Sequence, residues 1–525
     1  MTEMQNLPTN PQIPDRPRQV FKLADRLCAL SICLLAVLFV HSGLKDRGLL
    51  LWISLTLLLI GTPFYLKRFG VCFTARTAVL YSLLPLFALP RLLFDASAVH
   101  GAALLVVSFG YMYAVHYIAA GYGSERLPGE FFLLDAGKAL FGMPFSSYGA
   151  GPEAILTAKK KGLGRLVGAW ILGLCAAIIP TFVVLALLIG ADNHFESFFF
   201  DLVERLFTLD LSLIAVALPV GIMLGFYVFG HLWACGNHEL GGGVKQENAL
   251  RIASVCRFAP TAMVCAAVLP LLLLYLLFVI SQLPYFIGGF TGALPDGLTY
   301  ADYARKGFFE LCSVAVINAA VLACIALFTR RNADKPPLAA RILSILLSAF
   351  TLMLLASAMA KMLLYVDTYG LSRKRIYVLW LMCFLALFFL VQLAGGIFRR
   401  LRVSAAVFAL AVLFLGVFLF ADFDRIIADY NVDAYLSGEM EAVDVDMLRD
   451  LSASAVPSLL RLYDETEHAN VRRDAGGAIR RFLLRTQGAA MEAYGYSGWS
   501  FNLAQARALK LVRAHAGYPY DFFAQ

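Results

Sequence analysis

The sequence predicts an all-α, polytopic membrane protein of about eleven transmembrane helices with a small helical domain at its C-terminus. Three observations predict this. First, 60% of the residues are hydrophobic, only 15% are charged, and the mean hydropathy is +0.73; soluble domains stand nearer one half apolar and one quarter charged. Second, apolar runs close to the roughly 20 residues that span a bilayer recur along most of the chain. Third, the runs are continuously apolar rather than alternating, so membrane-spanning β-strands are excluded.

Residues 1–26 begin with a polar stretch holding Pro8, Pro11, Pro14 and Pro17 and little apolar periodicity, and they are expected to form a disordered tail. No cleavable signal peptide is expected, because the first apolar run lacks a small-residue cleavage site. Apolar runs follow at 27–43, 48–66, 75–94, 98–121, 165–190, 210–234, 258–281, 307–329, 340–364, 376–397 and 403–421, which defines a bundle over residues 27–421. The ten cysteines lie in or beside these runs and none follows Cys383, so no disulfide framework is expected.

Charge sets the orientation. The net charge is +8, and the basic residues sit between apolar spans, which suits a membrane surface and excludes a nucleic-acid partner. With the N-terminus inside, the cytoplasmic segments collect Arg16, Arg18, Lys22, Arg26, Lys67, Arg68, the loop 122–164 with Lys159, Lys160 and Lys161, then Arg165, Arg257, Arg330, Arg331, Arg341, Arg399 and Arg400. The other side holds about half as many. The expectation is a multi-pass plasma-membrane protein with a cytoplasmic N-terminus and an extracytoplasmic C-terminus. Lys159–Lys161 and Arg165 are assigned to anionic lipid headgroups, each worth about 1 kcal/mol. Residues 130–157 are read either as an amphipathic helix on the inner leaflet or as a connecting loop. Residues His194–Phe207 suit a helix lying at the outer interface.

At Asp422 the composition turns charged, and residues 422–525 form the predicted helical domain, placed on the extracytoplasmic side. Ser454 and Pro457 suit a helix start, Asn470 a cap for a helix with the stripe Val471, Ala475, Ile479 and Phe482, and Asn502 a cap for a last helix through Leu503, Ala506, Leu509 and Val512. The pattern loosely resembles one HEAT-type hairpin, which gives the domain a capacity to bind a protein partner.

Few motifs carry chemistry. Gly241–Lys245 lacks the spacing and the Ser/Thr of a phosphate loop. His231, Cys235, His238 and Cys256 have metal-ligand chemistry but match no zinc spacing, so no metal site and no cofactor are assigned. His116 lies in an apolar span among Tyr111, Tyr113 and Tyr117; a packing histidine hydrogen-bonded to its neighbours is expected ahead of a proton relay. The candidate site is an outward polar cluster. Asp302 and Arg305 are three apart on one helix face and can pair. Glu310 and Asn318 lie deeper, where charge needs a partner. Lys361, Tyr365 and Tyr369 share a face and lead through a turn to Arg375, so a Glu310–Lys361 or Glu310–Arg375 bridge is expected. Such pairs either fix packing or line a ligand path.

Several stretches around these residues resemble a bacterial family of polytopic membrane proteins known only as a domain of unknown function, the 4173 type, close to the 4153 type. They are LLIGADNHF (Leu187–Phe195), YLLFVISQLPYFIGG (Tyr275–Gly289), LTYADYARKGFFEL (Leu298–Leu311), YGLSRKR (Tyr369–Arg375), RIIADYNVDAY (Arg425–Tyr435) and WSFNLAQARA (Trp499–Ala508). Two positions depart from it: Ser372 stands for Thr and Lys361 for Arg. The resemblance implies a multi-span fold with a helical C-terminal tail and implies no activity. Three functions remain open: a binding, signalling or envelope-associated component, a transporter of a small solute or ion, and an enzyme acting on lipid or envelope precursors. The dearth of nucleophiles near the outer carboxylates leans away from the enzyme.

Overall fold

The computed structural model describes residues 21–44, 48–71, 73–120, 132–156, 183–208, 216–237, 257–291, 308–330, 337–398, 401–492 and 502–515, with a few isolated positions between 173 and 181. Its regular elements are helical; β-pairing among the described residues is limited to one isolated bridge between Ala259 and Thr329. Nine helices among the described residues are long and apolar enough to cross a membrane. The protein is therefore an all-α, multi-pass membrane protein.

The first group of helices is α1 (Leu23–Leu44), α2 (Gly48–Lys67), α3 (Ala75–Ala88), α4 (Pro90–Leu93) and α5 (Ser97–Ala119). The run 75–94 is broken: Pro85 lies inside α3, Leu89 separates it from α4, and Pro90 begins the next turn. A proline ring removes a helical hydrogen bond and clashes one turn back, which explains the break. The pieces still join the two ends of the bundle. Lys67 at the end of α2 precedes Arg68, which bonds Asp25 of α1 at 2.9 Å, whereas Gly48 at the other end of α2 packs on Arg91 of α4.

Helix α10 (Leu218–Gly236), reached after the short α6 (Phe132–Gly137), α7 (Met143–Ser146), α8 (Ala150–Leu156) and the longer α9 (Asn193–Thr208), packs antiparallel on α1. Gly221 lies against Val37, Gly225 against Cys33, and the Trp233 ring lies tilted against Phe21 with centres 4.7 Å apart. A Cβ at Gly221 would meet the Val37 backbone at 2.5 Å and one at Gly225 the Cys33 backbone at 2.6 Å, so this Gly-x-x-x-Gly pair lets the two backbones touch.

The second group is α11 (Thr261–Thr291), α12 (Phe308–Phe328), α13 (Leu338–Tyr369), α14 (Arg373–Ile397) and α15 (Val403–Phe420). It has its own core around Leu347, Leu355, Met382 and Phe389. Arg341 at the start of α13 donates to the carbonyls of Gly396 and Ile397 at the end of α14, closing one end of the hairpin. Helix α15 meets the first group: Leu415, Phe418 and Leu419 pack with Phe94, Val99 and Ala103.

From Asp422 the chain forms α16 (Phe423–Leu436), α17 (Val445–Arg449), α18 (Val456–Glu465), α19 (Ala469–Glu492) and α20 (Leu503–Ala514). Asp422, Asp444 and Asn502 cap α16, α17 and α20 through their side chains. Pro457 occupies the first turn of α18, where its missing N–H costs nothing. Asn470 lies inside α19 rather than at its cap, because the helix already starts at Ala469. Of the expected stripe, Ala475 and Ile479 are fully buried while Val471 and Phe482 pack at the edge of the core; in α20, Ala508 takes the buried place expected of Ala506.

This domain is clamped to both helix groups at one end of the molecule. Asn431 accepts from the Leu371 N–H at 2.9 Å and donates to the Leu371 carbonyl at 2.8 Å, in the α13–α14 turn. Gly370 in that turn has φ +74° and lies against Asn431, where a Cβ would stand 2.0 Å from the Asn431 oxygen. Arg373 donates twice to Asp424, at 2.7 and 2.6 Å, and the Ser452 N–H donates to the same carboxylate. On the other group, the Asn502 amide donates to the carbonyls of Phe94 at 2.7 Å and Arg91 at 3.3 Å.

Candidate functional site

The outward cluster predicted from sequence is only partly assembled. Asp302 and Arg305 lie outside the described residues, as do Lys159, Lys160, Lys161 and Arg165. Glu310 stands exposed in the first turn of α12 and is not within salt-bridge distance of Lys361 or Arg375, so the expected bridge is not formed. Glu310 lies on the outer surface of the bundle, so it does not reach the half-buried Lys361 or Arg375. Arg375 turns instead to its own hairpin: its guanidinium lies 4.3 Å from the Tyr365 ring centre and 5.9 Å from that of Tyr369, and it donates to the Tyr369 carbonyl at 2.8 Å. Arginine over an aromatic face is worth about 0.5–1 kcal/mol where exposed, so these residues brace the turn that carries the C-terminal domain. Lys361 is half-buried one turn below Tyr365 on the same helix.

Asn318 is fully buried and bonded on both sides. Its oxygen accepts from the Tyr275 hydroxyl at 2.6 Å and its amide donates to Thr351 at 2.9 Å. Thr351 passes its own proton to the Leu347 carbonyl. The chain of bonds ties α11, α12 and α13 together and leaves little capacity for a ligand. Polar bonds of this kind hold apolar helices in register within lipid.

A second polar cluster lies in the first helix group. The segment 132–156, expected on the membrane surface or in a loop, runs instead through the interior alongside α10. Its first helix opens into a π turn, Lys138–Gly142, then α7, then α8. The Tyr227 hydroxyl donates to the Leu140 carbonyl, Gly230 abuts the carbonyls of Pro144 and Ser147, and the Tyr148 hydroxyl donates to the Met223 carbonyl at 2.9 Å. These contacts climb α10 from Gly230 to Met223, about 10 Å at the helical rise. Met143, Ala150 and Ala154 are buried in the same core as Phe229 and Trp233. Irregular backbone at membrane depth is tolerated only where protein encloses it, and the small residues of AGPEA let the segment fit there.

Four ionisable residues meet beside this broken helix. His116 of α5 is 1% exposed, and its Nε2 lies 3.9 Å from Asp135 of α6. Neither ring nitrogen of His116 has a hydrogen-bond partner among the described residues. The expected hydrogen-bonded packing histidine is therefore corrected: the ring is buried without the bonds that would make it inert. His231 of α10 is fully buried, bonds to the Met112 backbone and approaches the Cys235 sulfur at 3.7 Å. Lys138 starts the π turn one helical turn after Asp135 and is coupled electrostatically to Asp135 and Cys235. Among the described residues no group of three or more His, Cys, Asp or Glu suits a metal ion; His238 and Cys256 fall outside them.

The sequence pointed to His116 and His231 separately and missed Asp135 and Lys138. The signal that could have found them is the helical spacing of three within a segment otherwise rich in apolar and small residues, a polar pair that a surface loop has no need to bury.

Residues 19–462 match the family described as a domain of unknown function (DUF4153), and the chain belongs to that family. The 4173 type expected from the motifs is not the one that matches; its relative, the 4153 type, is. No curated protein and no solved structure matches the chain.

Proposed function

We propose that the protein is a membrane-embedded binding or signalling component in which the C-terminal domain couples two helix groups. The observation that carries this reading is the double clamp. One small domain holds the α13–α14 turn through Asn431 and Asp424 and the α4–α5 turn through Asn502. A partner seated on this domain would bias the relative position of the helix groups, and a change in the bundle would alter the surface the domain presents.

The same reading places the N-terminus in the cytoplasm and the C-terminal domain outside. Lys22, Arg26, Lys67, Arg68, Arg257, Arg330, Arg341 and Arg402 flank spans at the end away from the domain, whereas Arg91, Arg373, Lys374 and Arg375 flank spans at the domain end. The excess of cations marks the cytoplasmic side. Helix α5 ends near His231 and α10 begins near Val37 at the opposite end, so the chain between them must cross an odd number of times; the apolar run read at 165–190 in the sequence is long enough for one crossing. Lys159–Lys161 and Arg165 then face anionic headgroups of the inner leaflet.

The test uses full-length protein in lipid nanodiscs, freed of other reactive thiols, with spin labels at Gly101→Cys on α5 and Lys374→Cys on α14. Both sites are exposed. A narrow distance distribution is expected, broadened by Asn431→Ala and by Asn502→Ala. An unchanged distribution in both variants sinks the coupling role. A transporter remains the second reading, favoured by the broken helix and the buried ionisable cluster of the first group.

A further inference from the structure

We infer that His116 and Asp135 form a proton-binding site inside the first helix group, with the π turn Lys138–Gly142 as the element that moves when the proton binds. The site lies at the opposite end of the molecule from the clamps of the C-terminal domain, so its failure and theirs are separately measurable.

The geometry argues as follows. A neutral imidazole carries one N–H and one lone pair. Both ring nitrogens of His116 lie buried with no hydrogen bond among the described residues, and a buried polar group left unmade costs about 1–3 kcal/mol. Nε2 faces the Asp135 carboxylate at 3.9 Å, too far for a bond and too near to be indifferent. A proton taken from water by the free lone pair makes an imidazolium. Its Nε2–H then donates to the carboxylate, and the pair carries no net charge. Charge-assisted N–H···O bonds run at about 2.7–2.9 Å, so a closure of about 1 Å completes the site.

That closure has somewhere to go. Asp135 sits three residues before the start of the π turn. A π turn is an α-helix carrying one surplus residue and recurs where helices shift register. Moving α6 toward α5 draws on this slack rather than on the packed backbone of α10.

The groups that face the pair set its balance. From the broken helix, Lys138 shares the Asp135 charge and competes with the imidazolium for it. From α10, His231 is fully buried and bonded to the Met112 backbone, and Cys235 stands beside Lys138. From α5 itself, Tyr113 and Tyr117 stack on each other, and Tyr111 bonds Thr62. Helix α3 adds Tyr81, already donating to the Leu59 carbonyl. Helix α15 brings Phe408 against Phe132 at the start of α6, an apolar contact. Asp25, Arg68 and Tyr65 of the first two helices are bonded to one another. Among the described residues, Asp135 is thus the carboxylate that meets His116, and Lys138 a cation that opposes the proton.

The experiment is a titration of full-length protein in nanodiscs, labelled with nitrogen-15 in its eight histidines and followed by magnetic resonance from about pH 5 to about pH 8, the range in which histidine changes charge. One imidazole signal should titrate, vanish in His116→Gln, and move to a midpoint lower by about one pH unit or more in Asp135→Asn, a tenfold weaker hold on the proton. If His116→Gln fails to assemble, Asp135→Asn keeps the histidine and the side-chain shape and carries the test alone. A His116 signal that stays neutral over the whole range overturns the site, and so does a midpoint that Asp135→Asn leaves in place.

Discussion

In α11–α15 the buried polar side chains are neutral and bonded to one another, Tyr275 to Asn318 to Thr351. In α1–α10 they include the ionisable His116, Asp135 and His231, and His116 lacks a hydrogen bond at either ring nitrogen among the described residues. The two groups also differ in how lipid reaches them. The core window of Leu218–Gly236 is 61% buried, whereas that of Val403–Phe420 is 6% buried. The second group behaves as a frame: its central polar chain is bonded along its length, and a C-terminal domain is fixed to its hairpin. The first encloses a broken helix and holds charge in its interior, an expensive arrangement that membrane proteins keep where charge has work to do.

The largest expected effect probes the joint between frame and domain. Asp424 is 1% exposed and Arg373 is 36% exposed. Arg373→Ala leaves a buried carboxylate without its cation and should loosen the C-terminal domain by about 3 kcal/mol, the low end for a broken buried pair because the arginine is partly solvated. Limited proteolysis after Asp422 measures it; a digestion rate equal to wild type refutes it. Acid should act in the same direction. Burial works to raise the Asp424 pKa, but hydrogen bonds from Arg373 and Ser452 outweigh it and hold the carboxyl below its ordinary 3.8. A carboxylate lowered on folding lends its stability in full above that ordinary value and loses it as pH falls through the lower folded one. Protease resistance of the domain should therefore hold at pH 5 and above and decline only below about pH 4. In Arg373→Ala the step should move up or disappear.

A smaller effect is expected inside the frame. Asn318→Leu removes the acceptor of Tyr275 and the donor to Thr351 at once. Inter-helix bonds in lipid average well below their value in vacuum, so the loss should be about 1 kcal/mol, with a lower melting temperature in detergent. Thr351→Val, which keeps shape and deletes one inter-helix bond together with the bond to the Leu347 carbonyl of its own helix, should cost about half as much. Equal melting temperatures for wild type and Asn318→Leu would show that the frame does not depend on this chain of bonds.

Much of the fold could be read from composition because lipid imposes one rule, long apolar runs, on every span. Ten of the eleven expected runs meet a described helix or helix pair, and 75–94 needed the structure to show how Pro85 and Pro90 divide it. The domain after Asp422 was legible from its caps and stripes, and its clamps were not. Asn431 looks like an ordinary helix residue in sequence and Asn502 like an ordinary cap, and what they hold lies 60 and about 400 positions away. The candidate site was legible in reverse proportion to its burial. Glu310 and Arg375 stood out as charges, yet one is exposed and the other braces a turn. Asp135 and Lys138 were hidden because a broken, small-residue segment reads as a loop until α10 is laid against it. The Gly221–Gly225 spacing was the clue that α10 packs closely enough on α1 to enclose such a segment.

The smallest effect discriminates most sharply between the two groups, because its sign is opposite. His116→Leu swaps a buried ring with no hydrogen bond among the described residues for an apolar side chain. Replacing an unbonded buried polar group with an apolar one is neutral or stabilising. Above the midpoint of the proton site, at about pH 8, His116→Leu should leave the melting temperature unchanged or raise it by an amount worth up to about 1 kcal/mol. Below the midpoint the wild-type histidine gains the Asp135 bond and the variant does not, so the order should reverse. Asn318→Leu should lower the melting temperature at both pH values, since nothing in its bonds titrates there. A His116→Leu variant that is destabilised equally at both ends would place His116 with Asn318, as a packing residue, and would erase the distinction between the two helix groups.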